Sequence, residues 1–191
     1  MKRFAVVMAA VLGFGCSGSL GCGGSKAAGP AGSGGSGEAE VGVSKKAPEF
    51  TAADQTGKVR TLGEFRGKYV VLYFYPKDDT PGCTTEACAF RDRWKDLEAA
   101  GAQVIGVSTD SVESHAAFAK EHELPFPLLA DVDGKVTDAY NVPVTMGFAR
   151  RMTFIIDKGG VIRRVWPDVD PGVHAEEVIQ TLKSLGDVEA K

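Results

Sequence analysis

The amino-acid sequence predicts an α/β fold in which helices flank a mixed central sheet and a β-hairpin stands at the N-terminal end. Three observations predict it. Residues 69–75 form a short β-branched and aromatic run, which is typical of a strand buried on both faces. Helical and strand patterns then alternate along the chain. Near the C-terminus, two apolar runs flank Lys158-Gly159-Gly160, which indicates an antiparallel hairpin.

The individual elements follow from local patterns. Residues 47–65 contain a turn at 54–57 and are predicted to form the N-terminal hairpin. Apolar side chains recur at spacings of three and four from Ala87 to Leu97, so residues 84–100 are predicted to form one amphipathic helix. The other predicted elements are strands at 103–108, 127–130, 152–157 and 161–166 and helices at 111–122, 135–140 and 172–185.

Two groups of residues resemble parts of metal sites. Asp131, Asp133 and Gly134 have the order found at the start of a calcium loop, but the later glutamate ligand is missing, so a capped turn is predicted. His115 and His122 could share a helix face. Because no ligand set completes them, they are predicted to be surface residues. We therefore predict no metal and no cofactor.

The first 21 residues have the features of an export signal. Met1-Lys2-Arg3 is positively charged, and the apolar run at residues 4–15 is too short to span a bilayer. Cys16 and Cys22 each follow a glycine, as lipid-modified cysteines do in bacterial lipoprotein signals. Cys22 gives the more ordinary signal length. Lipid attachment is therefore predicted at Cys22, with Cys16 or plain secretion as the alternatives.

The segment after the signal is predicted to be a tether. Residues 22–42 are rich in Gly, Ser and Ala and cannot bury enough apolar surface to fold. Residues 43–187 are predicted to form the folded domain. The expected location is the periplasm or cell envelope, where the lipid would hold the domain at a membrane through its tether.

The charge balance argues against nucleic-acid binding. The chain has 22 Lys and Arg against 25 Asp and Glu, a net charge of −3, and no basic patch that could neutralise phosphates. Removal of the signal takes away two positive charges and makes the remainder more acidic. Two of the four cysteines lie in the signal region, which leaves Cys83 and Cys88 as the pair in the domain.

The position of Cys83 predicts a reactive thiol. A loop rich in Pro and Gly joins the strand at 69–75 to a helix, and Cys83 lies in the first helical turn, where free N–H groups and the helix dipole favour a thiolate. Cys88 lies five residues further on, which places the two Cα atoms about 8 to 9 Å apart on a helix. Because a disulfide needs less than about 7 Å, the pair could bond only after the first turn unwinds. The alternative is two unreactive core cysteines.

The stretch around Cys83 resembles the active-site signature of the peroxiredoxins. Pro76, Thr80 and Cys83 match the pattern P-x-x-x-T-x-x-C, and a second cysteine five residues on, Cys88, is similar to the bacterioferritin-comigratory or Q-type branch. The resemblance extends over about residues 43–185. It implies the thioredoxin-like fold of the peroxiredoxin type.

The resemblance also implies an activity. The protein would be a thiol peroxidase that reduces hydrogen peroxide and organic hydroperoxides. Cys83 would become a sulfenic acid, Cys88 would condense with it to an intramolecular disulfide, and a thioredoxin-like reductant would restore both thiols. Many members of the branch are monomers, so a monomer is expected.

Two residues near the reactive thiol have expected roles in the pocket. The Thr80 hydroxyl could donate a hydrogen bond to peroxide or thiolate, or Thr80 could be a turn residue beside Pro81. Pro76 could close the pocket off from water, or it could simply end the strand.

Further residues are assigned by the resemblance. Arg151 stands before the strand motif T-F-x-I-D of the family and would steady the thiolate and the leaving oxygen, whereas Arg150 is expected to be a solvated neighbour. Glu86 would orient the active-site loop, or it would be a carboxylate favoured in the first helical turn. His174 is expected to be structural.

Two other classes of function stay open. A thiol–disulfide oxidoreductase would suit an exported thioredoxin-like domain, but the sequence has no C-x-x-C and this reading leaves the pattern around Cys83 unexplained. A redox sensor or tethered binding module could use the same pair of thiols without catalysis. Rapid peroxide consumption would argue against this second class.

Overall fold

The structure is a computed structural model that describes residues 41–189. The predicted export signal, Cys16, Cys22 and most of the predicted tether lie outside these residues. Among residues 41–189, no helix combines the length and the apolar character needed to cross a membrane.

The chain forms strands and helices in the alternation that the sequence predicts. The strands are β1 (Thr51–Asp54), β2 (Val59–Thr61), β3 (Tyr69–Phe74), β4 (Ala102–Ser108), β5 (Leu128–Ala130), β6 (Val144–Thr145), β7 (Phe148–Ala149), β8 (Met152–Ile156) and β9 (Ile162–Trp166). The helices are α1 (Pro81–Asp92), α2 (Trp94–Ala99), α3 (Val112–Glu121), α4 (Lys135–Ala139) and α5 (His174–Glu189), with a 3-10 helix at Leu62–Phe65.

Seven strands form one mixed sheet in the order β2-β1-β5-β4-β3-β8-β9. The central strand β3 pairs in parallel with β4 and antiparallel with β8. The predicted hairpins β1–β2 and β8–β9 are both present. The predicted α/β fold with a mixed sheet flanked by helices is therefore confirmed.

The hydrophobic core has two layers, one on each face of the sheet. Along β3, alternate side chains enter opposite layers: Tyr73 packs with Phe90 and Phe118, whereas Leu72 packs in the layer of Phe154. Burial on both faces explains why the sequence of β3 is almost entirely apolar and aromatic.

Both tryptophans pack in or against the core layer that contains Tyr73. Trp94 is the first residue of α2, and its ring centroid lies 5.9 Å from that of Phe126. Trp166 ends β9, and its ring meets His174 edge to face at 5.2 Å.

One predicted helix is in fact two. The prediction of a single helix over 84–100 is wrong, because Arg93 leaves helical geometry and separates α1 from α2. The Arg93 side chain forms ion pairs with Asp96 and with Glu176 on α5. The apolar spacing continues across this break because both helices pack on the same layer, so the spacing could not reveal it.

The prediction that His115 lies at the surface is also wrong. Its side chain is fully buried, with one ring nitrogen 2.9 Å from Asp78 and the other 3.1 Å from the Leu129 carbonyl oxygen. His122 is only partly exposed. Exposure of His115 is predicted because histidine is polar, but hydrogen bonds to buried partners make burial of its ring favourable.

The capped turn predicted in place of a calcium loop is present. Gly134 adopts a left-handed conformation, and the buried Asp131 carboxylate accepts hydrogen bonds from the backbone N–H groups of Val136 and Thr137. Asp131 thereby satisfies free N–H groups at the start of α4.

Candidate active site

The strand–loop–helix unit β3–α1 places Cys83. The chain leaves β3 at Phe74, and α1 starts at Pro81, whose fixed φ suits the first helical position. Cys83 is therefore the third residue of α1, in its first turn, as predicted. Its side chain is 1% exposed. The backbone N–H groups of this first turn are free of helix partners and favour negative charge nearby.

Sheet pairing brings Arg151 to the same place. β8 runs antiparallel to β3, and Met152 lies opposite Phe74. Arg151, the residue before β8, therefore lies where the loop to α1 begins. Its Nη2 lies 3.4 Å from Cys83 Sγ and donates a hydrogen bond to it. The pairing of β3 with β8 thus brings together Cys83 and Arg151, which are 68 positions apart in the sequence.

The same guanidinium also binds a buried carboxylate. Arg151 Nη1 donates to Glu86 Oε2, and Glu86 is 1% exposed. Glu86 is the sixth residue of α1, so its alternative interpretation as a carboxylate of the first helical turn is wrong. It faces inward on the side of α1 that carries Cys83, one turn further along.

Burial and charge shift the titration of this pair. Burial raises the pKa of Glu86 to about 7, although the charge and hydrogen bond of Arg151 oppose the shift. Burial lowers the pKa of Arg151, but the charges of Glu86 and Cys83 outweigh burial and the net pKa is raised. Arg151 therefore stays a cation beside the sulfur at all physiological pH values.

Two further buried polar atoms lie in this region. Tyr73 Oη and Glu86 Oε1 have no hydrogen-bond partner among the residues that the structure describes. Burial, followed by the negative charges of Glu86 and Cys83, raises the pKa of Tyr73 well above its usual value. Tyr73 is therefore a neutral phenol near the thiol, a residue that sequence reasoning did not single out.

Gly82 permits the close approach of Arg151 to α1. A Cβ atom at this position would lie 3.1 Å from Arg151 Nη2 and 3.7 Å from Pro171 Cγ. A larger side chain would therefore press on the guanidinium that contacts Cys83. The small residue before Cys83 keeps that contact possible.

Thr80 and Pro76 lie on the loop that leads to Cys83, and both are partly exposed. Thr80 is the residue that precedes α1, and its hydroxyl donates to the Lys77 carbonyl oxygen at 3.1 Å. Rotation of the Thr80 side chain could move this hydroxyl from the Lys77 carbonyl oxygen to another acceptor. Pro76 is the second residue after β3.

Cys88 lies in the same uninterrupted helix as Cys83. Both thiols are free, Cys83 buried and Cys88 partly exposed. This arrangement is the one for which helix geometry requires unwinding before a disulfide can form. Cys88 is three residues before Arg91, the spacing of neighbours on a helix surface.

A buried polar network holds the loop ahead of Cys83. Asp78 Oδ1 accepts from the Tyr75 hydroxyl at 2.8 Å, and Asp78 Oδ2 accepts from Ser114 Oγ at 2.7 Å and lies 2.9 Å from His115 Nδ1. Burial raises the pKa of Asp78, but these bonds, above all that of His115, lower it below its usual value. Sequence reasoning missed this network.

The missed network left one weak signal in the sequence, the acidic residue Asp78 beside an apolar strand. Its partner His115 lies 37 residues further on, and only the pairing of β4 beside β3 brings α3 to the loop. His174, expected to be structural, is buried, and its Nε2 lies 2.9 Å from Thr153 Oγ1.

Comparisons with known proteins agree with this geometry. The model of the AhpC/TSA family matches residues 43–165. A Coxiella burnetii protein that carries the name peroxiredoxin bcp is 48% identical over 147 residues, which cover 73% of this chain and 97% of that protein. Peroxiredoxin Q of Sedum lineare, a chloroplastic protein, is 45% identical over 77% of this chain and 81% of its own length.

A solved structure is similar as well. The bacterioferritin comigratory protein of Xanthomonas campestris, whose structure gave insights into its alkyl peroxide reduction activity, is 34% identical with a TM-score of 0.68. The similarity covers 71% of this chain and 90% of that one. The fold and the similar proteins together define the class of protein, a peroxiredoxin with the thioredoxin-like fold. The chain belongs to the AhpC/TSA family, in its Q/BCP-type peroxiredoxin branch, and the expected resemblance is confirmed at that level.

Proposed function

We propose that this peroxiredoxin reduces hydrogen peroxide and organic hydroperoxides with Cys83 and closes its cycle through a Cys83–Cys88 disulfide. One observation carries the proposal: the Arg151 guanidinium lies 3.4 Å from Cys83 Sγ at the start of α1. A cation and a helix N-terminus both favour a thiolate. The alkyl peroxide reduction activity of the Xanthomonas relative supports organic hydroperoxides as substrates.

In the first step, the Cys83 thiolate attacks one peroxide oxygen. A bond forms between sulfur and that oxygen as the O–O bond breaks, so sulfur is oxidised to a sulfenic acid and the second oxygen leaves with the electron pair. That oxygen takes a proton and becomes water or an alcohol. Arg151 would offset its developing charge, Thr80 would orient the peroxide after its hydroxyl leaves the Lys77 carbonyl, and Pro76 would keep water away.

In the second step, the Cys88 thiolate attacks the Cys83 sulfenic acid. A sulfur–sulfur bond forms and hydroxide leaves, which takes up a proton as water. Because α1 runs without a break through both cysteines, its early turns must open first. A dithiol reductant of thioredoxin type then returns both cysteines to thiols by exchange and becomes oxidised itself.

The deciding experiment follows hydrogen peroxide consumption by pre-reduced protein with a thioredoxin system. Wild type should turn over, Cys83→Ser should consume nothing, and Cys88→Ser should reduce one equivalent and stop. Full turnover by Cys88→Ser would overturn the resolving role of Cys88. Disulfide exchange without peroxide consumption by wild type would favour the thiol–disulfide oxidoreductase, and slow, single oxidation would favour a redox sensor.

We also propose that the protein is exported and held at a membrane by a lipid on Cys22, with residues 22–42 as tether and residues 43–187 as a monomeric domain. Metabolic labelling with a fatty-acid analogue tests this in cells. Label that persists in Cys16→Ser and disappears in Cys22→Ser supports the assignment, and the reverse result moves the lipid to Cys16. Light scattering after size-exclusion chromatography tests the monomer.

A further inference from the structure

Helix α3 contacts the chain on both sides of the two cysteines. We define residues 79–90, which contain Cys83 and Cys88, as the switching segment. The residue before it, Asp78, and the residue after it, Arg91, both bond to α3 or its cap. Neither contact belongs to the chemistry of the peroxide.

The first contact is deeply buried. Asp78 is 3% exposed and His115 is fully buried. The Asp78 carboxylate bonds to Ser114 and His115 on α3, and its own backbone N–H donates to Asp110 Oδ2 at 2.9 Å. Asp110 lies just ahead of α3. Buried, charge-assisted bonds of this kind are costly to break because the groups left behind lose their partners.

The ring of His115 is held from its far side as well. Its Nε2 lies 3.1 Å from the Leu129 carbonyl oxygen in β5, a strand of the central sheet. The polar contacts that run from Asp78 through His115 to β5 therefore fix the end of the loop to the sheet itself. Tyr75, on the same loop, adds its hydroxyl bond to Asp78.

The second contact lies at the opposite end of α3. Arg91 Nη1 donates to the carbonyl oxygen of His122 at 2.8 Å, and His122 is the residue that ends α3. Carbonyl groups at a helix C-terminus lack intrahelical partners, so a guanidinium is a favourable donor there. Arg91 thereby ties the last turn of α1 to α3.

Between these contacts, the switching segment makes one buried polar contact that the proposed oxidation alters. Cys83 and Glu86 both bond to the single side chain Arg151. When the Cys83 thiolate becomes a neutral sulfenic acid, one of the two charges that hold Arg151 disappears. This polar contact is thereby weakened, while Asp78 and Arg91 keep their bonds.

We propose that Asp78, His115 and Arg91 are positioning residues that anchor the switching segment to α3 at both ends, so that disulfide formation unwinds residues 79–90 and little else. The proposal rests on the proposed function for the identity of the disulfide. The anchor at Asp78 holds Cys83 in its pocket for the peroxide step. The anchor at Arg91 holds the end of α1 so that Cys88 stays within reach of Cys83.

Kinetics of the two steps test the anchors separately. In Ser114→Ala and Asp78→Asn, the rate constant of Cys83 with hydrogen peroxide should fall about tenfold, and disulfide formation should fall less or rise. In Arg91→Met, the peroxide step should stay within about twofold and disulfide formation should fall about tenfold, whereas Arg91→Lys should recover most of it. Arg93→Met, which loses ion pairs to Asp96 and Glu176, is the matched control.

General destabilisation would slow both steps together in every variant. Equal losses in both steps, or equal behaviour of Arg91→Met and Arg93→Met, would therefore overturn the anchors. Rapid acid quench and thiol counting separate the two steps, and the mild Ser114→Ala variant keeps the experiment informative if Asp78→Asn fails to fold.

Hydrogen exchange gives a second test that needs no peroxidase activity. Diamide, a two-electron thiol oxidant, converts the two thiols to the disulfide. Backbone exchange should then rise in residues 79–90 and stay unchanged in 75–78 and 91–99. Opening that extends into either flank, or no disulfide with diamide, would overturn the proposal. If wild type forms the disulfide with diamide but consumes no peroxide, the proposed function fails while the anchors stand.

Discussion

Glu86 and Arg151 form an ion pair inside the protein, and the guanidinium of that pair also contacts Cys83. One cation thus faces a carboxylate and a sulfur that carries negative charge as a thiolate. Because Arg151 is shared, a change in Glu86 or Cys83 alters the surroundings of the same guanidinium. Arg151 and Glu86 are therefore testable by substitution, and Glu86 also by pH.

Replacement of Arg151 by Met should slow the reaction of Cys83 with hydrogen peroxide by about 100-fold, the loss typical of a removed charge-stabilising donor. Competition with a peroxide-consuming standard enzyme measures the rate constant. Arg150→Met is the matched control, because the Arg150 side chain is 55% exposed and its nearest acidic partner, Asp168, lies 3.8 Å away. Equal losses in both variants would contradict the role of Arg151.

The pH dependence of stability should reveal the buried Glu86. Its folded pKa of about 7 is raised above the usual 4.5 of a glutamate, so between these values the folded protein binds more protons than the unfolded chain. The contribution of Glu86 to the free energy of unfolding should therefore fall as pH rises from about 4.5 to 7. In urea titrations at several pH values, the free energy of unfolding of wild type minus that of Glu86→Gln should fall over this range.

Glu98→Gln removes an exposed carboxylate from α2 and serves as the control for that comparison. It should keep the wild-type slope. A wild-type slope in Glu86→Gln, or a rising difference between wild type and Glu86→Gln over the same pH range, would show that Glu86 is not held in a charge-disfavouring site.

Removal of the Thr80 hydroxyl should weaken the peroxide step. Thr80→Val should lose about tenfold in the rate constant with peroxide, which corresponds to one net hydrogen bond, and Thr80→Ser should retain it. Thr85→Val is a fair control, since the Thr85 hydroxyl also donates to a local carbonyl, that of Pro81, but its side chain is exposed. Wild-type kinetics in Thr80→Val would leave Thr80 as a turn residue.

Gly106 in β4 should resist enlargement. A Cβ atom there would lie 2.7 Å from Leu128 Cδ2 and 2.8 Å from the Tyr73 hydroxyl, both in the packed core. Gly106→Ala should therefore destabilise the fold by about 1–3 kcal/mol. Gly63→Ala, where the nearest atom is Thr61 Oγ1 at 3.8 Å, should change stability by less than about 1 kcal/mol. Thermal melts of both variants test the difference.

Much of the site follows from local pattern. The apolar run of β3, the proline at the first position of α1 and the cysteine in the first turn are separated by few residues, so propensity and capping rules are sufficient to place them. The motif around Cys83 also indicated the family, which the comparisons confirm. The strand pairing that brings Arg151 to Cys83 could be expected only through that resemblance.

The remaining features depend on packing between distant segments. Burial of Glu86 and of His115 cannot be derived from residue type, because charged and polar side chains are usually exposed. Each is buried beside a partner distant in the chain, Arg151 and Asp78 respectively. The break at Arg93 is invisible to a hydrophobic period that both helices share.

The two tryptophans allow the rearrangement of α1 to be followed by intrinsic fluorescence, without a label. Trp94 stands at the start of α2 and packs against the layer that contains Cys83 and Phe90, so the surroundings of its indole ring should change when α1 rearranges, although α2 itself stays folded. Trp166 stands in a strand of the sheet, against His174, and its emission would overlap with that of Trp94. A Trp166→Phe protein would isolate the first signal. Light emission alone could then follow each turnover as it happens, without a coupled enzyme or an attached dye.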